Sequence, residues 1–386
     1  MNPFGVLRNE YSYRIQRARS LMEAQGLDAL MLFTGPNLVY FTGMPCHRSG
    51  SRPFIYLLTR RGEPVLIVHD GRQGEAQRFT DVSDVRTYSR LSHLPLETVL
   101  RVIEEKALRR GRIGAELGGE MVMDIPFSDF TDLREALPSV QFVDASPLLW
   151  RLRMIKSEAE IARVAKACEI TAQAYAQTYP AVRAGMSEVE IHGLMMRQMI
   201  ALGGSSPWIF ITSGTGNYHL VSKGPSTRCV EPGEMVWMDC GCAVDGYWSD
   251  FDRASVVGGP SLAQVEAQRT VHEITHQGIA MMRPGVPVAE IAAYCNEAIR
   301  ALKFPITSNI SGLAARVGHG LGMVVTELPS LNEEDSTLLE AGMIVTIEPG
   351  VATEYGTFHI EENVLVTTDG PRILTSAQRE LWTIAQ

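Results

Sequence analysis

The sequence predicts two domains of different class: an α/β domain over residues 1–153, then an α+β domain over residues 154–386 made of two related halves. Three observations carry that expectation. Helix-like and strand-like apolar patterns alternate from residue 11 to 150, the mark of an α/β unit. A serine with acidic followers, Ser157-Glu158-Ala159-Glu160, ends the run at 150–156 and reads as the capped start of a long helix. Beyond it the chain resembles itself at a spacing of 100 residues.

In the first domain Ile15, Ala18 and Met22 share a helical face that Gly26 ends, and the apolar run 27–33 follows as a buried strand. Residues 54–59 and 64–68 pair as a hairpin about Arg60-Arg61-Gly62-Glu63. Strand 85–88, helix 96–108 and strand 112–115 complete the unit. In the second domain Arg183-Ala184-Gly185-Met186-Ser187-Glu188-Val189-Glu190-Ile191 matches Arg283-Pro284-Gly285-Val286-Pro287-Val288-Ala289-Glu290-Ile291, and both open an amphipathic helix. Gly233 leads to Asp239 as Gly342 leads to Glu348: each glycine precedes an apolar strand that ends in a carboxylate. Two halves, each of helices followed by a hairpin, imply a pseudo-two-fold domain with a ligand site between the halves.

The chain has 386 residues, too many for one domain of about 150 residues. Its net charge of −9 and lack of a strongly basic run argue against a nucleic-acid groove or an anionic membrane as partner. The start MNPFGVLRNE lacks a signal-peptide pattern, and no segment approaches the ~20 apolar residues of a membrane span. A cytoplasmic location is therefore expected. Cys46, Cys168, Cys229, Cys240, Cys242 and Cys295 form no disulfide framework, and the single C-x-C lacks the second pair of a zinc site.

Asp239 and Asp250 flank a segment whose Val244-Asp245-Gly246 is a hairpin turn, so the two carboxylates are expected opposite each other on paired strands. Glu348 and Glu361 flank 349–360 in the same way, with Glu354-Tyr355 at the midpoint. Like charges so placed are destabilising without a cation. His319, in Gly318-His319-Gly320-Leu321-Gly322, lies between the hairpins in sequence, and its glycines let the backbone bring an imidazole close. Four carboxylates and one imidazole describe an oxygen-rich site for two divalent ions, which would acidify a bridging water into hydroxide. Manganese, iron, cobalt or zinc would fit.

Two other motifs are set aside. His272-Glu273-Ile274-Thr275-His276 is a literal H-E-x-x-H, but the apolar stripe of Val271, Ile274, Gly278 and Met281 turns both histidines toward solvent. The Gly318–Gly322 run lacks the Lys-Ser/Thr ending and the preceding βαβ unit of a phosphate loop.

At these residues the chain resembles the pita-bread metallopeptidase family, which includes aminopeptidase P, prolidase, methionine aminopeptidase and creatinase. Asp239-Cys240-Gly241, Gly246-Tyr247-Trp248-Ser249-Asp250, the His319 loop, Ile347-Glu348-Pro349-Gly350 and Ile360-Glu361-Glu362-Asn363 carry the likeness. Gly26-Leu27-Asp28-Ala29-Leu30 and Asn37-Leu38-Val39-Tyr40-Phe41-Thr42-Gly43 are similar to the creatinase/prolidase amino-terminal domain. The resemblance implies a pita-bread fold for 154–386, with Asp239 on one metal, His319 and Glu348 on the other, and Asp250 and Glu361 bridging. It puts manganese first among the ions. It gives Glu348 a proton to carry from the bridging water to the leaving nitrogen, and His219 a donor's role toward the substrate. It also implies a homodimer in which the amino-terminal domain contributes to the partner's site.

The chain departs from the family at two positions expected to meet substrate. Thr326 stands where the peptidases have a histidine before the glutamate, and threonine is no cationic donor. His359 stands where they have an arginine. The activity implied is that of a Xaa-Pro dipeptidase or aminopeptidase, in which metal-bound hydroxide cleaves an amide C–N bond beside proline or in a related small substrate. An alternative is chemistry on a small zwitterion, as in ectoine hydrolase, creatinase or a dimethylsulfoniopropionate lyase. Arg52, or its neighbour Arg48, stands near the position of creatinase's carboxylate-binding arginine. The complete ligand set disfavours creatinase chemistry, which needs no metal, and equally the non-catalytic histone chaperones that reuse the fold.

Overall fold

Ala29–Phe33, buried at every position, lies inside a six-stranded sheet. It pairs antiparallel with Ile55–Thr59 and parallel with Arg112–Ala115. Val65–His69 and Asp84–Tyr88 extend the sheet on one side and Gln141–Asp144 on the other. Strands covered on both faces need apolar side chains on both, which is why 29–33 and 55–58 read as continuous apolar runs. The structure, a computed structural model, describes residues 8–46 and 51–385. They divide into two compact units, with the boundary between Arg153 and Met154. No helix among the described residues is long and apolar enough to cross a membrane.

The helix expected over 96–108 ends earlier, at Glu105. Ala107 takes φ +55°, and the Leu108 N–H turns back to the Ile103 carbonyl, so the last carbonyls are satisfied by a left-handed stop. Nearby, the buried Glu116 carboxylate accepts from the Phe33 N–H at 3.0 Å and from Asn37 Nδ2 at 2.6 Å. Burial outweighs those bonds and pushes its pKa from 4.5 up to about 7. The folded state therefore holds a proton that the unfolded chain has lost above pH 4.5. The stabilisation is complete below 4.5 and is lost as pH rises through 7, a change of roughly 3 kcal/mol. Thermal melts between pH 5 and 8 should show this slope in the wild type and a flatter one in Glu116→Gln; parallel slopes would refute it.

In the second unit the two halves repeat at the level of single hydrogen bonds. The Gly185 N–H donates to Val230 O and the Val230 N–H to Met186 O; Gly285, Leu339 and Val286 make the same pair. Gly233 N–H to Val257 O recurs as Gly342 N–H to Val366 O. Gly185 and Gly285 have φ of +83° and +91°, a conformation costly for any residue with a Cβ, so these glycines survive in both copies. Helices Glu158–Thr178 and Glu188–Ala201 start at Ser157 and Ser187 with complete capping boxes. The helix Val288–Arg300 starts at extended Pro287 without a side-chain cap.

Strand Met235–Val244 separates the two cores of this unit. Val236, Met238 and Cys240 face the first half's core, while Met235 and Trp237 face the second's. With side chains alternating at period two, Asp239 must share the face of Met235 and Trp237.

Candidate metal centre

Two hairpins and one loop build the site. In the first hairpin Asp245 and Gly246 both take positive φ, +49° and +81°, and form the two-residue turn whose twist suits antiparallel strands. Val244 therefore pairs with Tyr247, and the register carries Asp239 opposite Asp252. This corrects the expectation that Asp239 lies directly opposite Asp250, which centred the turn one residue early. Asp250 is instead a diagonal neighbour on the same face, so three aspartates share it. Phe210 of strand Ser205–Ser213 continues one cross-strand row beside Asp239, and Trp208 pairs with Gly241 in the next. A Cβ on Gly241 would lie 1.8 Å from the Ser249 carbonyl oxygen, so glycine is required there.

In the second hairpin Ile347 pairs with Glu362 and Gly350 with His359, which brackets Glu348 and Glu361 as direct opposites. His319 reaches the same place from the glycine loop. Its N–H donates to Thr346 Oγ1 at 3.1 Å, and its Nδ1 lies 2.9 Å from the Gly320 carbonyl. That leaves Nε2 facing the carboxylates, 3.3 Å from Asp250 Oδ2 and 3.6 Å from Glu348 Oε1. Donor atoms of Asp250, His319 and Glu361 all lie within 4.8 Å of one another.

The electrostatics of this nest are those of missing positive charge. Asp239 Oδ1, Asp250 Oδ1 and both Glu361 oxygens are buried without a hydrogen-bond partner among the described residues. Burial first, and then the charges of Asp250 and Glu348, drive the Asp239 and Glu361 carboxyls well above the usual range. Burial alone would lower the His319 pKa, but Asp250 and Glu348 more than offset it and hold the imidazole above its ordinary value. Oxygen-rich donors with open lone pairs and one aimed imidazole fit divalent cations, which would satisfy the orphaned atoms and reverse the carboxylate shifts.

His359 is buried, with Nδ1 bonded to Asp252 and Nε2 3.7 Å from Glu348 Oε2. It lines the cavity over the carboxylates, but both its ring nitrogens already face acidic partners. That cavity has a volume of about 440 Å³ and aromatic walls of Trp208, Phe210 and Trp237. Thr326 also lines it, as does Arg316, which has no ion-pair partner among the described residues. His219 is exposed and lines a neighbouring cavity of about 400 Å³, which shares Ile310 and Ala314 with the first. Arg52 is exposed in the amino-terminal unit, and Arg48 lies outside the described residues.

Sequence reasoning missed the supports beneath the ligand set. Arg253 is 1% exposed; it donates to the Glu361 carbonyl at 2.9 Å and to Glu362 Oε1 at 2.9 Å. Arg379 reaches the same Glu362 oxygen at 2.7 Å. Asn363 brackets the Asp250 backbone, its amide nitrogen donating to the carbonyl and its oxygen accepting from the N–H at 3.1 Å. One signal was available: an arginine in the buried run Phe251–Val257 demands a buried acid. His272 is also corrected. His276 is exposed, but His272 is half-buried with Nε2 unpartnered among the described residues, and after burial first His276 and then Arg379 lower its pKa further. Neither histidine lines the carboxylate cavity.

Comparison with known proteins matches both units to known families. Metallopeptidase family M24 matches residues 162–368, and the creatinase/prolidase N-terminal domain matches residues 14–155. A Xaa-Pro dipeptidase of Pyrococcus horikoshii is 27% identical over 371 residues, covering 95% of this chain and 98% of that protein. A Xaa-Pro dipeptidase of Pyrococcus furiosus is 26% identical over 370 residues, covering 95% and 99%. The solved prolidase from Thermococcus sibiricus superposes with a TM-score of 0.85 at 26% identity, covering 98% of this chain and 100% of that one.

Proposed function

This chain belongs to metallopeptidase family M24 and is a metal-dependent hydrolase, and we propose that it cleaves Xaa-Pro dipeptides or closely related short peptides. One observation carries the reading: the orphaned oxygens of Asp239, Asp250 and Glu361 converge with His319 beneath an aromatic-walled cavity. Two divalent ions, manganese foremost, would be held by Asp239, Asp250, His319, Glu348 and Glu361. When bound, such ions supply Lewis acidity, lowering the pKa of water toward neutrality and polarising the scissile carbonyl.

The chain's own groups do the rest. Glu348 has 17% side-chain exposure against 4% for Asp250 and lines the cavity, which leaves it open to exchange a proton there. It accepts the proton released on attack and returns it to the leaving nitrogen. Asp252 holds His359, and His359 in turn keeps Glu348 Oε2 oriented. Trp208 and Phe210 offer flat apolar surface to a proline ring and exclude water. Arg316 brings a guanidinium with no ion-pair partner among the described residues to a cavity otherwise rich in acid, which suits a substrate's terminal carboxylate. Thr326 adds a neutral hydroxyl donor, and His219 meets whatever extends into the neighbouring cavity.

Protein reconstituted with manganese should hydrolyse Xaa-Pro dipeptides, lose at least about 100-fold of its rate on chelation and recover on re-addition. Elemental analysis should find up to two ions per chain. Retention of no metal after reconstitution with manganese or iron would overturn the reading. So would rapid turnover of ectoine, creatine or dimethylsulfoniopropionate with Xaa-Pro peptides left intact.

A further inference from the structure

A cleft of about 750 Å³ in the amino-terminal unit gathers cations from three separate segments of a chain whose net charge is −9. Arg19 comes from helix Arg8–Ala24, Arg60 and Arg61 from the hairpin turn, and Lys106 and Arg110 from the connection between Leu96–Glu105 and Arg112–Ala115. Both connections are tight, with Gly62 at φ +83° and Ala107 at +55°, and so point their basic residues at one place. Of the acidic lining residues, Asp28 is already spent on Arg60 at 2.6 Å and on the Arg112 N–H at 2.9 Å, which leaves Glu23.

Arg19 and Lys106 are held in position. The Arg19 guanidinium donates to the carbonyls of Thr59 and Gly62, and Lys106 Nζ donates to the Glu63 carbonyl at 3.2 Å while facing Asp84 at 3.5 Å. Arg61 and Arg110 have no ion-pair or hydrogen-bond partner among the described residues, whereas other surface arginines such as Arg72 and Arg269 take an acid three residues away. Converging like charges raise the local energy until an anion joins them.

We propose that this cleft binds an oligophosphate, either free or as the charged end of a nucleotide. A compact monoanion would satisfy two of the cations at most, whereas a chain of phosphates spans the cleft and matches the bidentate geometry of its arginines. The volume falls within the range of roughly 300–1,000 Å³ typical of small-molecule sites. The site is independent of the peptidase reading.

The test titrates the metal-loaded protein with tripolyphosphate, ATP and orthophosphate by calorimetry, comparing wild type with the double variant Arg61→Ala/Arg110→Ala. Both residues are exposed, so the variant should keep the wild-type thermal midpoint. Any chelation of the metal ions is common to the two proteins and cancels. Saturable tripolyphosphate binding should weaken at least about tenfold in the variant, and orthophosphate should bind the wild type about tenfold less tightly than tripolyphosphate. Tripolyphosphate should also slow chemical acetylation of Lys106, read by mass spectrometry, without slowing that of exposed Lys303. Equal affinity for ATP and tripolyphosphate assigns phosphate alone as the ligand, and tighter ATP assigns a nucleotide. Equal binding in wild type and variant, unprotected Lys106, or orthophosphate binding as tightly as tripolyphosphate would overturn the proposal.

Discussion

Asp250→Ala is expected to abolish turnover, by at least about 10³-fold, and to release the metal, while leaving the apo fold as stable as the wild type or more so. The first effect follows from position: Asp250 is the carboxylate nearest His319 and shares donor distances with Glu361. The second follows from the sign of the electrostatics. Without cations, Asp250 is a like charge that adds to burial in raising the pKa of Asp239 and Glu361, so its removal relieves repulsion. Melting curves with and without manganese separate the two effects, because the wild type gains about 2.7 kcal/mol at a hundredfold excess of ion over Kd and the variant gains little. His272→Ala, outside the cavity, should leave turnover unchanged. Retained activity in Asp250→Ala together with loss in His272→Ala would move the site to the H-E-x-x-H helix.

Arg253→Met should be the most destabilising single change in the second unit apart from the site itself, at about 3–5 kcal/mol. It leaves Glu362, 1% exposed, with Arg379 as its remaining ion-pair partner among the described residues, and it strips a donor from the Glu361 carbonyl. For a unit of this size the melting midpoint should fall by roughly 10 °C. The double change Arg253→Met/Glu362→Gln should recover part of the loss, since the cost lies in the uncompensated buried charge rather than in the lost contact. A midpoint within about 2 °C of wild type in the single variant would show that Arg379 alone neutralises Glu362.

The amino-terminal unit was legible because its signals are local. The apolar runs at 27–33 and 54–68 and the turn at 60–63 correspond to paired strands within one or two residues. The helix after Leu96 was read too long because only a left-handed Ala107, which the sequence does not announce, stops it. In the second unit the repeat was visible in its glycines, since positive φ is the constraint a decaying duplication can least give up.

The sequence by itself determined which residues could make a metal site: carboxylates at the ends of apolar strands flanking turn residues, and one histidine among glycines. Hairpin register is set within a dozen residues, so spacing came close, missing the Asp239 partner by two positions. Only the tertiary structure decided what supports those residues. Arg253 meets Glu362 across 109 positions, Asn363 meets Asp250 across 113 and His359 meets Asp252 across 107. Such contacts join the two halves, where neither spacing nor periodicity carries information and only the packing of one hairpin on the other brings a donor to its acceptor. The same holds for Arg316 over the carboxylates and for the basic cleft, whose cations belong to segments that share no pattern until the sheet folds.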